Sequence, residues 1–261
     1  MSKPVINFIA RYFYAALSSV YLFTVGFLFV KNRLLIYKIS THFGYPEVKI
    51  PVTPVSTLVP GDVAKDISIE VLAPVGVDGN VSPLELLLLS TFIKTRGCAR
   101  IFEMGTFDGR TTLNMAANST GNARLWTLDL PKKEIGNTPL PLAPLDKQFI
   151  DKDGSGARFT GKDEEKKITQ LYGDTATFDF GKFNDSMDMV FVDASHSYEY
   201  LLNDSRAALR LLKGGKGIIL WHDYRVWDGV TRALNELFLS DTDFKDLQHI
   251  EGTSLVCLIK N

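Results

Sequence analysis

The stretch from Ala99 to Ala117 reads Ala-Arg-Ile-Phe-Glu-Met-Gly-Thr-Phe-Asp-Gly-Arg-Thr-Thr-Leu-Asn-Met-Ala-Ala. Its apolar start predicts the end of a buried strand, the residues from Glu103 to Gly109 predict a turn, and those from Arg110 onward predict a helix. A strand that runs through glycines into a helix presents unpaired backbone N–H groups and the positive helix end to a ligand. We therefore expect a ligand-binding loop in an α/β fold.

The spacing of the two glycines distinguishes this loop from that of dinucleotide enzymes. It is Gly105-x-x-x-Gly109, because Phe107 stands where the Gly-x-Gly-x-x-Gly loop has its middle glycine. Gly105 permits a tight turn and Gly109 lets the helix start lie near the strand. An NAD-dependent oxidoreductase, which shares the fold, stays an alternative against which Phe107 argues. The candidate cofactor-binding residues of the loop are Glu103, Gly105, Thr106, Phe107, Gly109 and Thr111.

Bulk composition restricts the class of protein. With 261 residues the chain is long enough for one large α/β domain and an appendage. A net charge of −1 gives no concentrated basic footprint, so we expect no nucleic-acid partner. The two cysteines, Cys98 and Cys257, lie on predicted core elements and indicate neither a disulfide framework nor a metal knuckle. They fit a reducing compartment such as the cytoplasm.

The N-terminal segment, residues 1–44, is predicted to contain a hydrophobic helix. Residues 12–30 are 19 positions without a charge, about enough to cross a ~30 Å hydrocarbon layer. Lys31, Arg33 and Lys38 follow with positive charge. We expect a membrane anchor here, with the remaining chain on the cytoplasmic face. The alternatives are a helix that lies in the membrane plane or packs against protein, and a cleaved signal peptide, for which the run is too long.

Residues 45–80 read as an extended connector to a domain at 81–261. Five prolines fall between residues 41 and 80, and a short strand is predicted at 67–72. The domain opens with a helix start, since Ser82 is followed by Pro83 and then by Glu85, as in a capping box. This helix is expected to end near Gly97.

Further strands are predicted at residues 124–129 and 168–172. The first ends in Asp129, 20 residues beyond the glycine loop, where a carboxylate can accept hydrogen bonds from the two hydroxyls of a ribose. The second is followed by Gly173-Asp174-Thr175. Between the two strands lies a proline-containing insertion, residues 131–167, which is either a lid or a surface loop.

Two neighbouring strands are expected to deliver a cluster of acidic and imidazole groups to one sheet edge. The apolar strand at 188–192 ends in Asp193 and His196, and the strand at 217–221 ends in His222 and Asp223. Because an unperturbed imidazole titrates near neutrality, His196 or His222 is the candidate base, and the two aspartates would orient it. These four residues are the candidate catalytic set.

As a set, these motifs resemble those of the class I S-adenosylmethionine-dependent methyltransferases, in particular members with Asp-x-x-His-x-Tyr followed by His-Asp-Tyr. The resemblance implies a Rossmann-like, doubly wound, mostly parallel seven-stranded sheet with a final antiparallel hairpin near 244–250 and 253–259. It places S-adenosylmethionine over the glycine loop and beside Asp193, with its ribose on Asp129 and its adenine near Asp174 and Thr175.

The resemblance also implies a reaction. Such enzymes are often O-methyltransferases, and some hold a divalent metal at positions that match Asp193, His222 and Asp223. Because Mg²⁺ prefers oxygen ligands, His222 departs from that pattern and weakens the expectation of Mg²⁺. The acceptor is expected to be a small molecule, a sugar or a lipid-linked group, and the sequence does not predict the oligomeric state. A tethered cofactor-binding protein without catalysis is the remaining alternative.

Overall fold

The computed structural model describes residues 3–42, 48–59 and 61–261. The chain divides into two compact units, residues 1–48 and 49–261. Residues 1–2, 43–47 and 60, which include parts of the predicted N-terminal segment and connector, lie outside the described residues. The domain boundaries predicted at 44/45 and 80/81 stay predictions.

The apolar run of residues 12–30 is not one helix in the first unit. Helix α1 (Lys3–Thr24) ends inside the run, a 3-10 turn follows at Gly26–Leu28, and α2 (Val30–His42) begins at its last residue. The turn is held by Asn32, whose Nδ2 donates to the Gly26 carbonyl oxygen at 2.9 Å. A Cβ at Gly26 would lie 3.1 Å from the Tyr21 ring, so a glycine suits this close approach. None of the helices in the described residues is both long and apolar enough to cross a membrane.

The second unit alternates helices and strands. Its helices are α3 (Val55–Leu58), α4 (Gly61–Ala64), α5 (Pro83–Arg96), α6 (Arg110–Ala117), α7 (Lys147–Ile150), α8 (Tyr198–Leu211) and α9 (Asp228–Ser240). Its strands are β1 (Val52–Thr53), β2 (Arg100–Met104), β3 (Arg124–Asp129), β4 (Ile168–Tyr172), β5 (Met189–Val192), β6 (Gly217–Trp221), β7 (Gln248–Ile250) and β8 (Val256–Lys260). Single 3-10 turns lie at Lys132–Glu134, Asp163–Lys167, Gly181–Phe183, Lys213–Gly215 and Thr242–Phe244.

The strands form one mostly parallel sheet in the order β1-β7-β8-β6-β5-β2-β3-β4. Strand β8 runs antiparallel to β6 and to β7, which confirms the predicted final hairpin. The two-residue strand β1 is an addition to the seven predicted strands and pairs with β7. The expected Rossmann-like α/β fold is therefore confirmed, with a short extra edge strand.

Helices cover both faces of this sheet because its strands are apolar on both sides. Ile101 of β2 packs in one apolar cluster with Leu89 and Phe92 of α5. On the opposite face the Trp221 indole Nε1 donates to Ser205 Oγ of α8 at 2.9 Å. Parallel strands buried in this way align their carboxyl ends at a single edge.

The strand predicted at 67–72 is absent from the sheet of the described residues. Two asparagine side chains of α6 hydrogen-bond this extended segment instead. Asn114 pairs with the backbone of Leu72 at 2.8 and 2.9 Å, and Asn118 pairs with that of Glu70 at 2.9 and 2.8 Å. The backbone groups are thus satisfied without a neighbouring strand.

Candidate active site

The loop after β2 presses against the end of β5. A Cβ at Gly105 would lie 1.9 Å from the Asp193 carbonyl oxygen, so only glycine fits there. Phe107, at the position of the missing middle glycine, has a positive φ of 49°. Its carbonyl accepts a hydrogen bond from the Gly156 amide at 3.1 Å, and its ring meets that of Phe149 edge-on at 5.7 Å. Contacts with the insertion therefore hold Phe107 in a conformation that glycine would adopt freely.

Two of the predicted loop residues support the loop from beneath. The Glu103 side chain is fully enclosed, at 1% exposure for the residue. Its carboxylate accepts hydrogen bonds from Thr112 and from Thr127 Oγ1 at 2.6 Å. Thr106 Oγ1 lies 2.6 Å from the same Thr127 hydroxyl. Burial raises the pKa of Glu103 to about 8, so this carboxyl group is mostly protonated near neutral pH.

A cavity of about 570 Å³, counting its open mouth, lies at the carboxyl edge of the sheet. The predicted site residues that line it are Gly105, Phe107, Asp129, Asp174, Thr175, Asp193 and His196. The predicted residues outside this lining are Glu103, Thr106, Gly109, Thr111, His222 and Asp223. The insertion supplies a further part of the wall with Leu142, Asp146, Phe149, Ile150 and Lys152. The sequence singled out none of these five.

The carboxylates predicted to meet the ribose and adenine already have protein partners. Asp129 Oδ2 lies 2.8 Å from Lys152 Nζ and accepts a hydrogen bond from the Ser155 hydroxyl. Asp174 accepts from the Tyr200 hydroxyl at 2.6 Å. Two of these donors, Lys152 and Ser155, belong to the insertion, so a ligand on Asp129 has to exchange with them.

His196 lies between two carboxylates. Its Nδ1 is 2.5 Å from Asp146 Oδ1 and its Nε2 is 2.9 Å from Asp223 Oδ2. The ring stacks on Trp227, with centroids 4.3 Å apart. Burial opposes the charged ring, but the hydrogen bonds to Asp146 and Asp223 outweigh it and raise the pKa of His196 to about 10. The ring is therefore an imidazolium at neutral pH.

His222 is bound by carboxylates on both sides in the same manner. Its Nδ1 lies 3.1 Å from Asp193 Oδ1 and 3.2 Å from Asp223 Oδ2. Its Nε2 lies 3.3 Å from Glu85 Oε2. Burial again opposes the charge, but the neighbouring Asp223 and Asp193 raise the pKa of His222 well above its ordinary value. Asp223, whose φ is +69°, touches both imidazoles and joins them in one network.

Three of these side chains also converge as a candidate cation site. Asp193, His222 and Asp223 each offer one ligand atom, and the three atoms lie within 4.8 Å of one another. Two carboxylates and an imidazole are a donor set that divalent metals such as Mn²⁺ accept. The residues therefore fit a divalent cation, and a protonated His222 satisfies the same carboxylates.

Comparisons with known proteins relate part of the chain to a known family. Residues 102–224 match the family model described as a methyltransferase domain, whereas no curated protein matches the chain significantly.

Two solved structures share the fold. One is the O-methyltransferase TomG from Streptomyces achromogenes, involved in tomaymycin synthesis, in complex with SAM. The two sequences are 17% identical, the alignment covers 85% of this chain and 96% of TomG, and the TM-score is 0.50. The other is the SAH-bound methyltransferase PaMTH1 from Podospora anserina, at 16% identity, 70% and 81% coverage and a TM-score of 0.50. Residues 102–224 are therefore similar to a methyltransferase domain, and the chain has the fold of these two solved methyltransferases.

Proposed function

We propose that this enzyme transfers a methyl group from S-adenosylmethionine to an oxygen of a small-molecule, sugar or lipid-linked acceptor. One observation carries the proposal: a single cavity is lined by Asp129 and Asp174 together with Asp193 and His196. The first pair suits a nucleoside, and the second belongs to the carboxylate–imidazole network. Bound there, S-adenosylmethionine supplies an electrophilic methyl group.

The strand ends are proposed to hold the cofactor. Gly105 lets the loop lie against the end of β5 and lines the cavity, and Asp129 accepts hydrogen bonds from ribose hydroxyls once Lys152 and Ser155 have moved off its carboxylate. Asp174 and Thr175 line the part of the cavity proposed for the adenine.

The network is proposed to take up the proton of the acceptor hydroxyl, because an alcohol or phenol has to lose a proton to become methylated. Each ring nitrogen of His196 and His222 already faces a carboxylate. Asp193 is the member of the cation-site triad that lines the cavity. We therefore assign contact with the acceptor to Asp193, whereas the two imidazoles hold the carboxylates in place.

A divalent cation is proposed as a further part of the site, held by Asp193, His222 and Asp223. Bound there, a cation would lower the pKa of a coordinated acceptor hydroxyl. The test is methyl transfer after chelation with EDTA and after addition of Mg²⁺ or Mn²⁺. Loss of activity on chelation and its return with either ion are expected, and full activity in EDTA would exclude the metal.

The test of the function itself is release of S-adenosylhomocysteine from S-adenosylmethionine with a panel of phenols, sugars and lipid-linked hydroxyl compounds. We expect S-adenosylhomocysteine to be released with at least one oxygen acceptor. When the methyl group of S-adenosylmethionine carries an isotope label, that label should appear on the oxygen of the acceptor. Label found only on nitrogen or carbon acceptors would contradict O-methyl transfer.

We also propose that residues 3–42 lie in the plane of an anionic membrane surface. Large apolar side chains of α1 and the following turn are exposed, among them Phe8, Tyr12, Phe13, Leu17, Phe27 and Leu28. Residues 1–46 contain five basic side chains and no acidic one. Exposed apolar side chains together with net positive charge suit the headgroup region of a bilayer with anionic lipids, which would bring the protein to a lipid-linked acceptor.

Sedimentation of the full chain with vesicles tests this location. We expect binding to vesicles of phosphatidylcholine with phosphatidylglycerol and much weaker binding to phosphatidylcholine alone. The double change K31Q/R33Q should lower binding about tenfold or more, whereas K132Q, in the second unit, should not. Equal binding of both variants, or none by the unaltered chain, would contradict the proposal.

A further inference from the structure

Glu85 makes more contacts than the start of α5 requires. The capping box is complete with two hydrogen bonds: Ser82 N donates to Glu85 Oε2 at 2.8 Å, and Glu85 N donates to Ser82 Oγ at 3.3 Å. The same carboxylate also accepts from the amide and the hydroxyl of Ser254, both at 2.7 Å, and it lies 3.3 Å from His222 Nε2.

These additional contacts connect three separate parts of the fold. Glu85 lies in the first turn of α5, His222 follows β6, and Ser254 lies in the turn between β7 and β8. Ser254 Oγ in turn accepts a hydrogen bond from the Asp223 amide at 3.3 Å. Glu85 is only 4% exposed, and a buried carboxylate needs several donors to be tolerated. An ordinary capping glutamate at a surface helix end has no such need.

We propose that Glu85 is a positioning residue that holds the His222 ring with Nε2 toward α5 and Nδ1 toward Asp193 and Asp223. The hydrogen bond at Nε2 decides which ring atom meets the two aspartates. The geometry needed at Nδ1 is the same whether a proton or a cation lies between these groups. The consequence for catalysis rests on the proposed function, whereas the ring orientation does not.

Glu85→Gln is the variant that separates positioning from capping. Both carboxylate oxygens face donors, with Ser254 at Oε1 and with Ser82 N and His222 Nε2 at Oε2. An amide NH₂ at either position therefore faces another donor, so the glutamine binds the His222 ring less well than the carboxylate does. Ser82→Ala is the matched control, because it removes the bond from Glu85 N and leaves the carboxylate on His222.

The experiment uses the full chain and two readouts. In Glu85→Gln we expect kcat to fall about tenfold or more, with the affinity for S-adenosylhomocysteine unchanged within about twofold. We also expect the ¹⁵N resonance of His222 Nε2 to shift in long-range ¹H–¹⁵N spectra. In Ser82→Ala, kcat and this resonance should stay close to those of the unaltered enzyme. Equal kcat in the two variants, or an unmoved resonance in Glu85→Gln, would overturn the proposal.

The spectra are recorded without cofactor or acceptor, so they decide the ring orientation even if no methyl transfer is found. If Glu85→Gln does not fold, Ser254→Ala takes its place, because it removes one donor from the same carboxylate. It is expected to move the same resonance and to lower kcat several-fold. A Ser254→Ala enzyme identical to the unaltered one in both readouts would then contradict the proposal.

Discussion

The two walls of the cavity hold their polar groups by different means. The strand wall consists of residues at the carboxyl ends of β2, β3, β4 and β5, whose positions follow from a hydrogen-bonded sheet. The insertion wall consists of Leu142, Asp146, Phe149, Ile150 and Lys152, on a backbone whose only α-helical part is the short helix α7. Side-chain pairs fasten it to the strand wall.

These fastening pairs involve the very groups that the reaction is proposed to use. Asp146 binds His196, and Lys152 binds Asp129. The strand wall is therefore positioned by the sheet itself. The insertion wall contacts polar groups of the strand wall that a ligand would have to displace. This difference predicts that variants of the strand wall abolish chemistry and that variants of the insertion wall change how ligands enter or how His196 is held.

The largest expected effect concerns the support of the strand wall by Glu103. Its pKa is raised from 4.5 to about 8 in the folded protein, so the folded state binds this proton more tightly than the unfolded state. Stability from this group is fully present below pH 4.5 and is lost as the pH rises through about 8. Glu103→Gln should flatten this loss, which we expect to be a few kcal/mol. Urea unfolding between pH 5 and 9 measures the free energy of unfolding of both proteins. If this free energy changed with pH in the same way in both, Glu103 would not be its cause.

The next effect is on chemistry beside the strand wall, where His222 contacts Asp193. His222→Ala should lower kcat by at least about 100-fold, because it removes the ring that holds Asp193 and Asp223. The affinity for S-adenosylhomocysteine should stay within about threefold, since His222 does not line the cavity. Retained activity with the true acceptor would refute this role for the ring.

A smaller effect is expected for the insertion wall at Asp146. This residue is 2% exposed and also accepts from Ser195 Oγ at 2.6 Å. Asp146→Asn should lower kcat about tenfold by loosening His196. Asp153→Asn, an exposed change in the same insertion, should leave steady-state kinetics alone. If both variants behave alike, the contact between Asp146 and His196 has no role in turnover.

The smallest expected effect concerns Lys152. Lys152→Met removes the ammonium group that competes for Asp129, so the affinity for S-adenosylhomocysteine should rise by about two- to fivefold. Lys133→Met, an exposed neighbour of the cavity, is the control. A lower affinity in Lys152→Met would instead make this lysine a contact of the bound cofactor.

The sequence predicted the strand wall well because motif and topology coincide there. Asp129 ends β3 and Asp193 directly follows β5, and parallel strands align their ends at one edge. The insertion wall has no such regularity. Asp146 lies 50 positions before His196, and nothing in the local pattern links the two.

Other differences have causes that the neighbouring sequence does not reveal. The capping box revealed Glu85 as a helix start, but its contact with His222 spans 137 positions and depends on the whole sheet. The segment at 67–72 has strand-like residues, yet α6 side chains take its backbone hydrogen bonds. The apolar run at 12–30 is divided because Gly26 and Asn32 form a turn. Each of these outcomes depends on partners distant in the chain or on one side chain in a turn.

Calorimetric titration of the full chain with S-adenosylhomocysteine tests the central claim most directly. We expect saturable binding, and Asp129→Asn should weaken the affinity at least about tenfold. The control Asp151→Asn breaks an exposed pair with Lys132 and should leave the affinity unchanged. Absence of binding, or tight binding of NADH in its place, would contradict a methyltransferase site built on the ends of these strands.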